Sequence, residues 1–292
     1  MRWQRGRSSP DVIDRRGARG GGGFGLPIGR MGGGLGGIGL IVFLLIQVIG
    51  GGGGGGFGVT DQFGDGVNSP EYGEIPPEQD PDRDLKDFSA YVFDNAQRSW
   101  SATFKRAGEP YERAKLVLFS GGVSTGCGSA TSAGGPFYCP ADQRVYLDLS
   151  FYREMEGLGA NGDFAWAYVI AHEVGHHVQR QLGTSEEVRD LGRENPDDAN
   201  ELSVRLELQA DCYAGVWSHS VRAAGDLERG DIEEALATAE AIGDDRLQRR
   251  SGGSIDPDSF THGTSEQRAR WFAAGDEAGE PAACDTFSAD DL

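Results

Sequence analysis

The stretch AYVIAHEVGHHVQRQ at residues 167–181 contains a His-Glu-x-x-His pattern at His172, Glu173 and His176. Residues four apart on an α-helix lie on one face about one turn apart, so the two imidazoles can reach one metal ion. Glu173 lies beside that ion without binding it, where its carboxylate can accept a proton from water. The stretch therefore predicts one zinc ion per chain, bound by the two histidines, with Glu173 as the general base.

The residues around this motif favour a helix with one buried face. Apolar side chains recur at helical spacing, at Ala167, Ile170, Ala171, Val174 and Val178. Asn161 or Asp163 can cap the start of the helix, and Gly183 can end it. His177 points about 100° away from His176 around the helix, so we expect it to pack and not to bind metal. The competing interpretation is a surface helix with a polar face, against which the next motif argues.

A second predicted helix, near residues 200–221, carries two acidic residues four apart beside an apolar stripe. A catalytic zinc site commonly has three protein ligands and one open position, and Glu207 can be the third ligand. Asp211 lies one turn further on, where it can accept a hydrogen bond from the outer nitrogen of a ligand histidine. Acidic residues on a helix usually form a solvated face, but beside a His-Glu-x-x-His motif we favour the ligand interpretation.

The N-terminal region differs from the rest of the chain in charge. Residues 1–31 contain seven arginines and two aspartates, whereas the 292-residue chain has a net charge of −19. We predict a cytoplasmic Arg-rich tail at 1–31 and a transmembrane anchor with glycine-rich flanks at 32–57. The latter segment is uncharged and long enough to cross a bilayer. A cleaved signal peptide is the alternative, because the strongly apolar centre is shorter than a full span.

The remaining residues divide into a linker and one domain. Residues 58–81 are rich in glycine, proline and acidic residues and predict a flexible linker. Residues 82–288 follow as a folded domain, which the positive-inside rule places outside the cytoplasm. The acidic character of this domain argues against nucleic acid as a partner.

Both helical and strand patterns occur within the domain. Helical periodicity covers residues 84–105, and short apolar or alternating runs predict strands at 114–120 and 144–151. The second strand precedes the metal-binding helix. At the edge of a sheet it could pair with an extended peptide, whereas an internal position would make it an ordinary sheet strand.

The four cysteines fit disulfide bonds in a domain outside the cytoplasm. Three pairings are possible. Cys127–Cys139 would close a short local loop, so we favour this bond together with Cys212–Cys284. A cysteine zinc site is the alternative, and the absence of a Cys-x-x-Cys spacing argues against it.

Five segments resemble the bacterial family of putative neutral zinc metallopeptidases. They are GPFYCP (135–140), VYLDLSF (145–151), GDFAWAYVIAHEVGHHVQ (162–179), ELQADCYAG (207–215) and FTHGTSEQR (260–268). The resemblance spans nearly all of residues 82–288 and, more loosely, the N-terminal segments. It implies an α+β, zincin-like, compact gluzincin metallopeptidase domain after an N-terminal transmembrane helix. It also implies that the two motif histidines and Glu207 bind zinc and that Glu173 is catalytic.

The sequence thus predicts a membrane-anchored extracytoplasmic peptidase that cleaves peptide bonds through a zinc-activated water, with Glu173 as general base. Its partners are a peptide or protein substrate and, through one N-terminal helix, the cell membrane. His262 precedes a helix that Thr264 or Ser265 can cap, and related membrane-bound gluzincins carry a similar histidine. His262 could donate a hydrogen bond to the oxyanion formed during hydrolysis; a structural loop histidine is the alternative.

Two other classes of function stay open at this point. One is an inactive envelope protein that binds zinc structurally or binds peptides by strand addition. The other is a zinc hydrolase of a different envelope amide. The presence of Glu173 argues against the first, because a structural zinc site has no use for that carboxylate and fills its fourth position with protein.

Overall fold

The computed structural model describes residues 1–6, 9–17, 75–252 and 254–292. The predicted anchor at 32–57 and most of the predicted linker at 58–81 lie outside these residues. Among the helices of the described ranges, none is both long enough and apolar enough to span a membrane.

Eight α-helices make up most of this part of the chain. They are α1 (Arg83–Ala107), α2 (Phe151–Leu158), α3 (Asp163–Leu182), α4 (Thr184–Glu194), α5 (Ala199–Ala223), α6 (Asp231–Ala241), α7 (Asp244–Arg250) and α8 (Ser265–Ala278). The predicted helix at 84–105 is α1, the motif helix is α3, and the acidic helix at 200–221 is α5. All three predictions are confirmed.

Six strands accompany the helices in the described residues. They are β1 (Val12–Asp14), β2 (Lys115–Phe119), β3 (Gly122–Thr125), β4 (Gly128–Thr131), β5 (Phe137–Cys139) and β6 (Arg144–Asp148). One mixed sheet has the order β1-β2-β6-β5, with β1, β2 and β6 parallel and β5 antiparallel to β6. β3 and β4 form a separate antiparallel hairpin. The domain is α+β, as predicted.

β6 is an internal strand, so the second of the two interpretations of residues 144–151 is correct. It pairs with β2 on one side and with β5 on the other, and β5 is the edge strand. β6 is also shorter than predicted. It ends at Asp148, whose carboxylate accepts hydrogen bonds from the backbone N–H groups of Gly121 and Ser150, and the chain then turns into α2.

The described N-terminal residues belong to the folded domain, which corrects the prediction of a separate tail at 1–31. Residues 12–14 of β1 pair with residues 116–118 of β2. The guanidinium of Arg16 lies 2.7 Å from Asp14 Oδ2 and 2.6 Å from Asp80 Oδ2, and all three side chains are buried. Helical or alternating periodicity cannot reveal a strand of three residues, and an arginine count cannot distinguish a buried ion pair from a cytoplasmic flank.

α3 is the central helix of the domain, with nearly every residue from Phe164 to Gln179 buried. A helix that is apolar on most of its circumference must be enclosed by other elements. Trp166 Nε1 donates to Ser89 Oγ of α1 at 2.8 Å, and Phe164 stacks on Trp217 of α5. These contacts hold the motif helix between α1 and α5.

The predicted capping of α3 is confirmed at its C-terminus but not at its N-terminus. Gly183 ends the helix with φ 84°, a left-handed conformation that glycine adopts without strain. At the start, the N-cap residue is Gly162, which has no side chain to cap the helix, so the predicted capping by Asn161 or Asp163 is wrong. Gly162 leaves room for Glu234, which instead accepts a hydrogen bond from the Phe164 N–H at 3.0 Å.

α5 and α8 pack very closely at two glycines. A Cβ atom on Gly215 would lie 2.1 Å from the backbone oxygen of Phe272. A Cβ atom on Gly275 would lie 2.0 Å from the backbone oxygen of Cys212. Any larger residue at either position would force the two helices apart.

Two disulfides complete the fold, and both are the pairs predicted. Cys212–Cys284 joins α5 to the segment that follows α8. Cys127–Cys139 joins the turn of the β3–β4 hairpin to the edge strand β5. No free cysteine occurs in the described ranges.

Arg16→Ala in the full chain should lower the free energy of unfolding by about 3 kcal/mol at neutral pH, because it leaves Asp14 and Asp80 buried without their closest cation. The measurement is equilibrium denaturation. The matched control is Arg153→Ala, whose exposed side chain lies 3.6 Å from Asp82 and should contribute less than about 1 kcal/mol. Equal losses in the two variants would show that β1 is not held by this cluster.

Candidate metal centre

α3 and α5 bring three potential ligands together at one buried point. His172 Nε2 lies 3.1 Å from both Glu207 Oε2 and His176 Nε2, and His176 Nε2 lies 3.5 Å from Glu207 Oε1. Nitrogen and oxygen ligands about 2.0–2.1 Å from a tetrahedral zinc ion are about 3.3 Å apart. The two histidines approach different oxygens of Glu207, and each separation is close to the edge length of a zinc tetrahedron, so the three side chains can surround one ion.

This approach depends on a glycine inside the motif. Gly175 faces α5, and a Cβ atom there would lie 3.0 Å from the backbone oxygen of Ala210. That separation is tighter than van der Waals contact between well-packed atoms, so a larger residue would push α5 outward. Since Glu207 lies on α5, the same displacement would carry it away from the two histidines.

Asp211 holds the first histidine in place, as predicted. Its Oδ1 lies 2.8 Å from His172 Nδ1, which leaves Nε2 directed towards Glu207. Two groups that the sequence reasoning missed share this carboxylate. Arg268 Nε donates to Asp211 Oδ2 at 2.8 Å, and the Tyr168 hydroxyl donates to Asp211 Oδ1. Arg268 was quoted in the resemblance, but only the fold shows that it reaches Asp211.

The second histidine is held by an amide. His176 Nδ1 donates to Gln179 Oε1 at 2.9 Å. The Gln179 Nε2 in turn donates to the backbone oxygen of Leu206 and to Gln209 Oε1. Gln209 Nε2 donates to the backbone oxygen of Cys284, so the chain of bonds ends at the Cys212–Cys284 disulfide. Gln179 lies three residues after His176, and that spacing was the available signal in the sequence.

The electrostatics of the three-ligand group favour a positive charge at its centre. Burial lowers the pKa of His172, but the carboxylates of Asp211 and Glu207 outweigh burial and raise it to about 10. Burial likewise opposes protonation of His176, and Glu207 raises the pKa of that ring. The imidazoles of His176 and His172 hold the pKa of Glu207 well below its ordinary value despite burial. A divalent cation satisfies the same charge demand.

Glu173 lies in the same cavity wall as the three-ligand group and is itself buried. Burial raises the pKa of Glu173 above its ordinary value, and the imidazoles of His176 and His172 offset this only in part. A carboxylate with a raised pKa is a stronger base.

His262 lines the cavity together with these residues. Its Nδ1 lies 3.2 Å from Asp244 Oδ1, and the backbone N–H groups of Thr261 and His262 both donate to Asp244 Oδ2 at 2.7 Å. Asp244 thus holds both the imidazole of His262 and the backbone of the loop that precedes α8. The sequence reasoning missed Asp244, which lies 18 residues before His262 and carries no motif of its own. Thr264 is the N-cap of α8 in a capping box with Gln267, as one of the two predictions had it.

His177 does not join the metal group, as predicted. Its Nε2 donates to the backbone oxygen of Glu112 at 2.7 Å, and its Nδ1 accepts from the Tyr138 hydroxyl at 2.9 Å. Because Tyr138 belongs to β5, the bond to the Tyr138 hydroxyl ties the edge strand to α3.

The site opens into a cavity of about 950 Å³. Its wall includes the residues of the metal group, the edge strand, and side chains from α2, α4 and α7. A cavity of this size accommodates several residues of a peptide or a ligand of drug size.

The sequence comparisons agree with this geometry. The sequence model of the family described as "Putative neutral zinc metallopeptidase" matches residues 1–287. The chain belongs to this family. It is 48% identical over 291 residues to "Uncharacterized protein YpfJ" of Escherichia coli (strain K12), which covers 98% of this chain and 99% of that protein. It is also 45% identical over 196 residues to "Uncharacterized protein Rv2575" of Mycobacterium tuberculosis (strain ATCC 25618 / H37Rv), or 62% of this chain and 65% of that protein. No solved structure shows significant similarity to the chain.

The affinity of this site for zinc should increase with pH between about 6 and 8, by roughly tenfold or more per pH unit. Zinc must displace protons from His172 and His176, whose pKa values are raised by the facing carboxylates, and fewer protons remain as the pH rises. Competition with a chromophoric chelator across this pH range measures the effect, after correction for protonation of the chelator. A pH-independent affinity would show that these histidines do not bind the ion.

Proposed function

We propose that this protein is a zinc-dependent peptidase in which His172, His176 and Glu207 hold one zinc ion. The observation that carries the proposal is the approach of His172, His176 and Glu207 to within 3.1–3.5 Å of one another, in the wall of the cavity that Glu173 also lines. Membership of a zinc metallopeptidase family supports the same class of reaction. A zincin-like arrangement of the domain follows from the proposal, with the motif helix α3 and the edge strand β5 on the two sides of the cleft.

Zinc at this site would supply a Lewis acid that activates water and polarises the carbonyl of the peptide bond. Glu173 then accepts the proton of the attacking water and passes it to the leaving amine. The buried position of Glu173 suits the first step, because burial raises the pKa of the carboxylate and so makes it a stronger base. Asp211 and Gln179 keep the two ligand rings oriented during the reaction.

His262 is the proposed donor to the oxyanion. The described contacts of the ring engage Nδ1, with Asp244 Oδ1 at 3.2 Å and Thr261 Oγ1 at 3.0 Å, so an Nε2–H would be the donor into the cavity that the residue lines. A hydrogen bond to the developing negative charge lowers the barrier to hydrolysis. Asp244 is then a positioning residue for His262.

The edge strand β5 is the proposed docking element for the peptide. Phe137 and Tyr138 of this strand line the cavity, and the strand has a sheet neighbour on one side only. An extended substrate can add to such an edge by backbone hydrogen bonds, in the role that we first considered for β6. The tie between Tyr138 and His177 would keep the edge at a constant distance from the metal ligands.

We further propose that the domain acts outside the cytoplasm. Its two disulfides support this location, because such bonds persist in oxidising compartments. Attachment to the membrane through residues 32–57 stays a prediction from the sequence, as does the identity of the envelope protein that is cleaved. The alternative of a different envelope amide as substrate uses the same residues, and a comparison of casein with peptidoglycan fragments as substrates distinguishes the two.

Glu173→Gln should retain about one zinc per chain and lose peptidase activity by at least about 100-fold, because an amide cannot accept the proton of water. Zinc content is measured by atomic absorption and activity by cleavage of unfolded casein. Glu154→Gln is the matched control, since Glu154 also lines the cavity but lies on α2 away from the ligands. Wild-type turnover in Glu173→Gln would overturn the assigned base, and absence of zinc in the wild-type protein would overturn the function.

His262→Ala should lower kcat by about 100-fold and leave KM and zinc content nearly unchanged, because the lost hydrogen bond acts on the transition state. Asp244→Asn should give a smaller loss of kcat in the same direction. A change in KM alone, or a loss of zinc, would assign His262 to substrate binding or to structure and contradict the proposed role.

A further inference from the structure

The cavity has a different chemical character at its two ends. Val169 lies one turn before His172 on α3, and Arg180 lies one turn after His176, and both line the cavity. The first end is apolar, because Phe151, Met155 and Leu158 of α2 line it. The contact of Tyr152 with Trp166 places α2 at this end of α3. The second end is bounded by α4, which the ion pair between Arg180 and Glu186 joins to the end of α3.

The α4 end is basic. Arg189 and Arg193, one turn apart on α4, both line the cavity. Their nearest carboxylate is the same one: Asp190 Oδ1 lies 3.6 Å from Arg189 Nε and 3.5 Å from Arg193 Nη1. Neither separation is a good hydrogen bond, and the buried Arg189 Nε has no hydrogen-bond partner. Two guanidinium groups thus share one largely exposed carboxylate and keep unused donors.

The other carboxylate at this end does not cancel the positive charge. Glu186 also lines the cavity: its Oε1 lies 2.9 Å from Arg180, and its buried Oε2 has no hydrogen-bond partner. Among the cavity-lining side chains at this end, three arginines stand against the one carboxylate of Glu186, although α4 as a whole is acidic. Arginine is also the residue whose planar donors match a carboxylate in two-point contact.

We propose that Arg189 and Arg193 form a subsite for a carboxylate group of the peptide substrate. The inference rests on the proposed peptidase function and names the class of substrate: peptides with negative charge near the cleavage point. Arg180 lies about 6 Å beyond His176 along α3, at 1.5 Å per residue, and α4 lies further out. An extended peptide advances about 3.3 Å per residue, so the bound carboxylate would be roughly two to five residues from the cleaved bond.

The test uses paired fluorogenic peptides that carry Glu or Gln at successive positions on either side of one cleavable bond. Zinc-loaded wild-type protein should cleave the best Glu peptide about 3- to 20-fold faster in kcat/KM than its Gln partner, mainly through KM. This ratio should approach one in Arg189→Gln/Arg193→Gln and in high salt. Arg106→Gln, an exposed arginine of α1 outside the cavity, is the matched control and should keep the ratio. Free and amidated C-termini in a second set of pairs separate a side-chain carboxylate from a terminal one.

A wild-type ratio near one in every pair, or a ratio that survives the double substitution, would overturn the subsite. Arg189→Lys/Arg193→Lys keeps the charge and should keep part of the preference, and thermal unfolding verifies that each variant is folded. Binding of the same pairs to zinc-loaded Glu173→Gln, measured by fluorescence anisotropy, gives a readout without catalysis. Preferential binding of Glu peptides without cleavage by the wild type would retain the subsite and refute the peptidase. Cleavage of Glu and Gln peptides at equal rates would support the peptidase and refute the subsite.

Discussion

The carboxylate of Asp211 is the contact on which the rest of the site depends. It is completely buried, and it binds His172 of α3, Arg268 of α8 and the Tyr168 hydroxyl at once. Burying a charge is costly unless it is paired and hydrogen-bonded, and Arg268 and His172 together hold the pKa of Asp211 below its ordinary value despite burial. Removal of Asp211 or Arg268 would leave the other buried charge without its main partner, next to His172.

Close packing of α3, α5 and α8 keeps Asp211 in contact with His172 and Arg268. Gly175 lets α5 approach α3, and Gly215 with Gly275 lets α8 approach α5. The Cys212–Cys284 bond, next to Asp211 in sequence, then anchors α5 to the segment that follows α8. Closely packed backbones have few alternative arrangements, so Glu207 of α5 stays at a nearly fixed distance from the two histidines of α3. The positions of the site residues are thus set by the packing of α3, α5 and α8 together.

Much of the candidate site could be predicted because its residues repeat at helical spacing. His172 with His176, and Glu207 with Asp211, are pairs four apart, so one turn of helix already places each pair on a common face. Sequence spacing cannot show that Asp244 meets His262 or that Arg268 meets Asp211. Those contacts cross between elements, and only the packing of the helices brings them together.

The errors of the sequence reasoning have a similar origin. Strand periodicity identified the residues of β6 but not their neighbours, because sheet order is set by long-range pairing. The three-residue β5 was too short to show alternation, yet it is the edge beside the cleft. Charge composition suggested a free N-terminal flank, whereas Arg16 is enclosed by Asp14 and Asp80. In each case the sequence did not show which distant residue would be in contact with the segment in the folded domain.

The pairing of β1 with β2 also bears on how the chain can meet a lipid bilayer. Backbone hydrogen bonds join residues 12–14 to residues 116–118, so the parts of the chain before and after 18–74 share one folded sheet. A bilayer core about 30 Å thick cannot pass between two hydrogen-bonded strands. A single crossing at 32–57 would leave the two strands in different compartments. The pairing of β1 with β2 and a single crossing at 32–57 therefore exclude each other, and the compartment in which residues 12–14 lie decides between them.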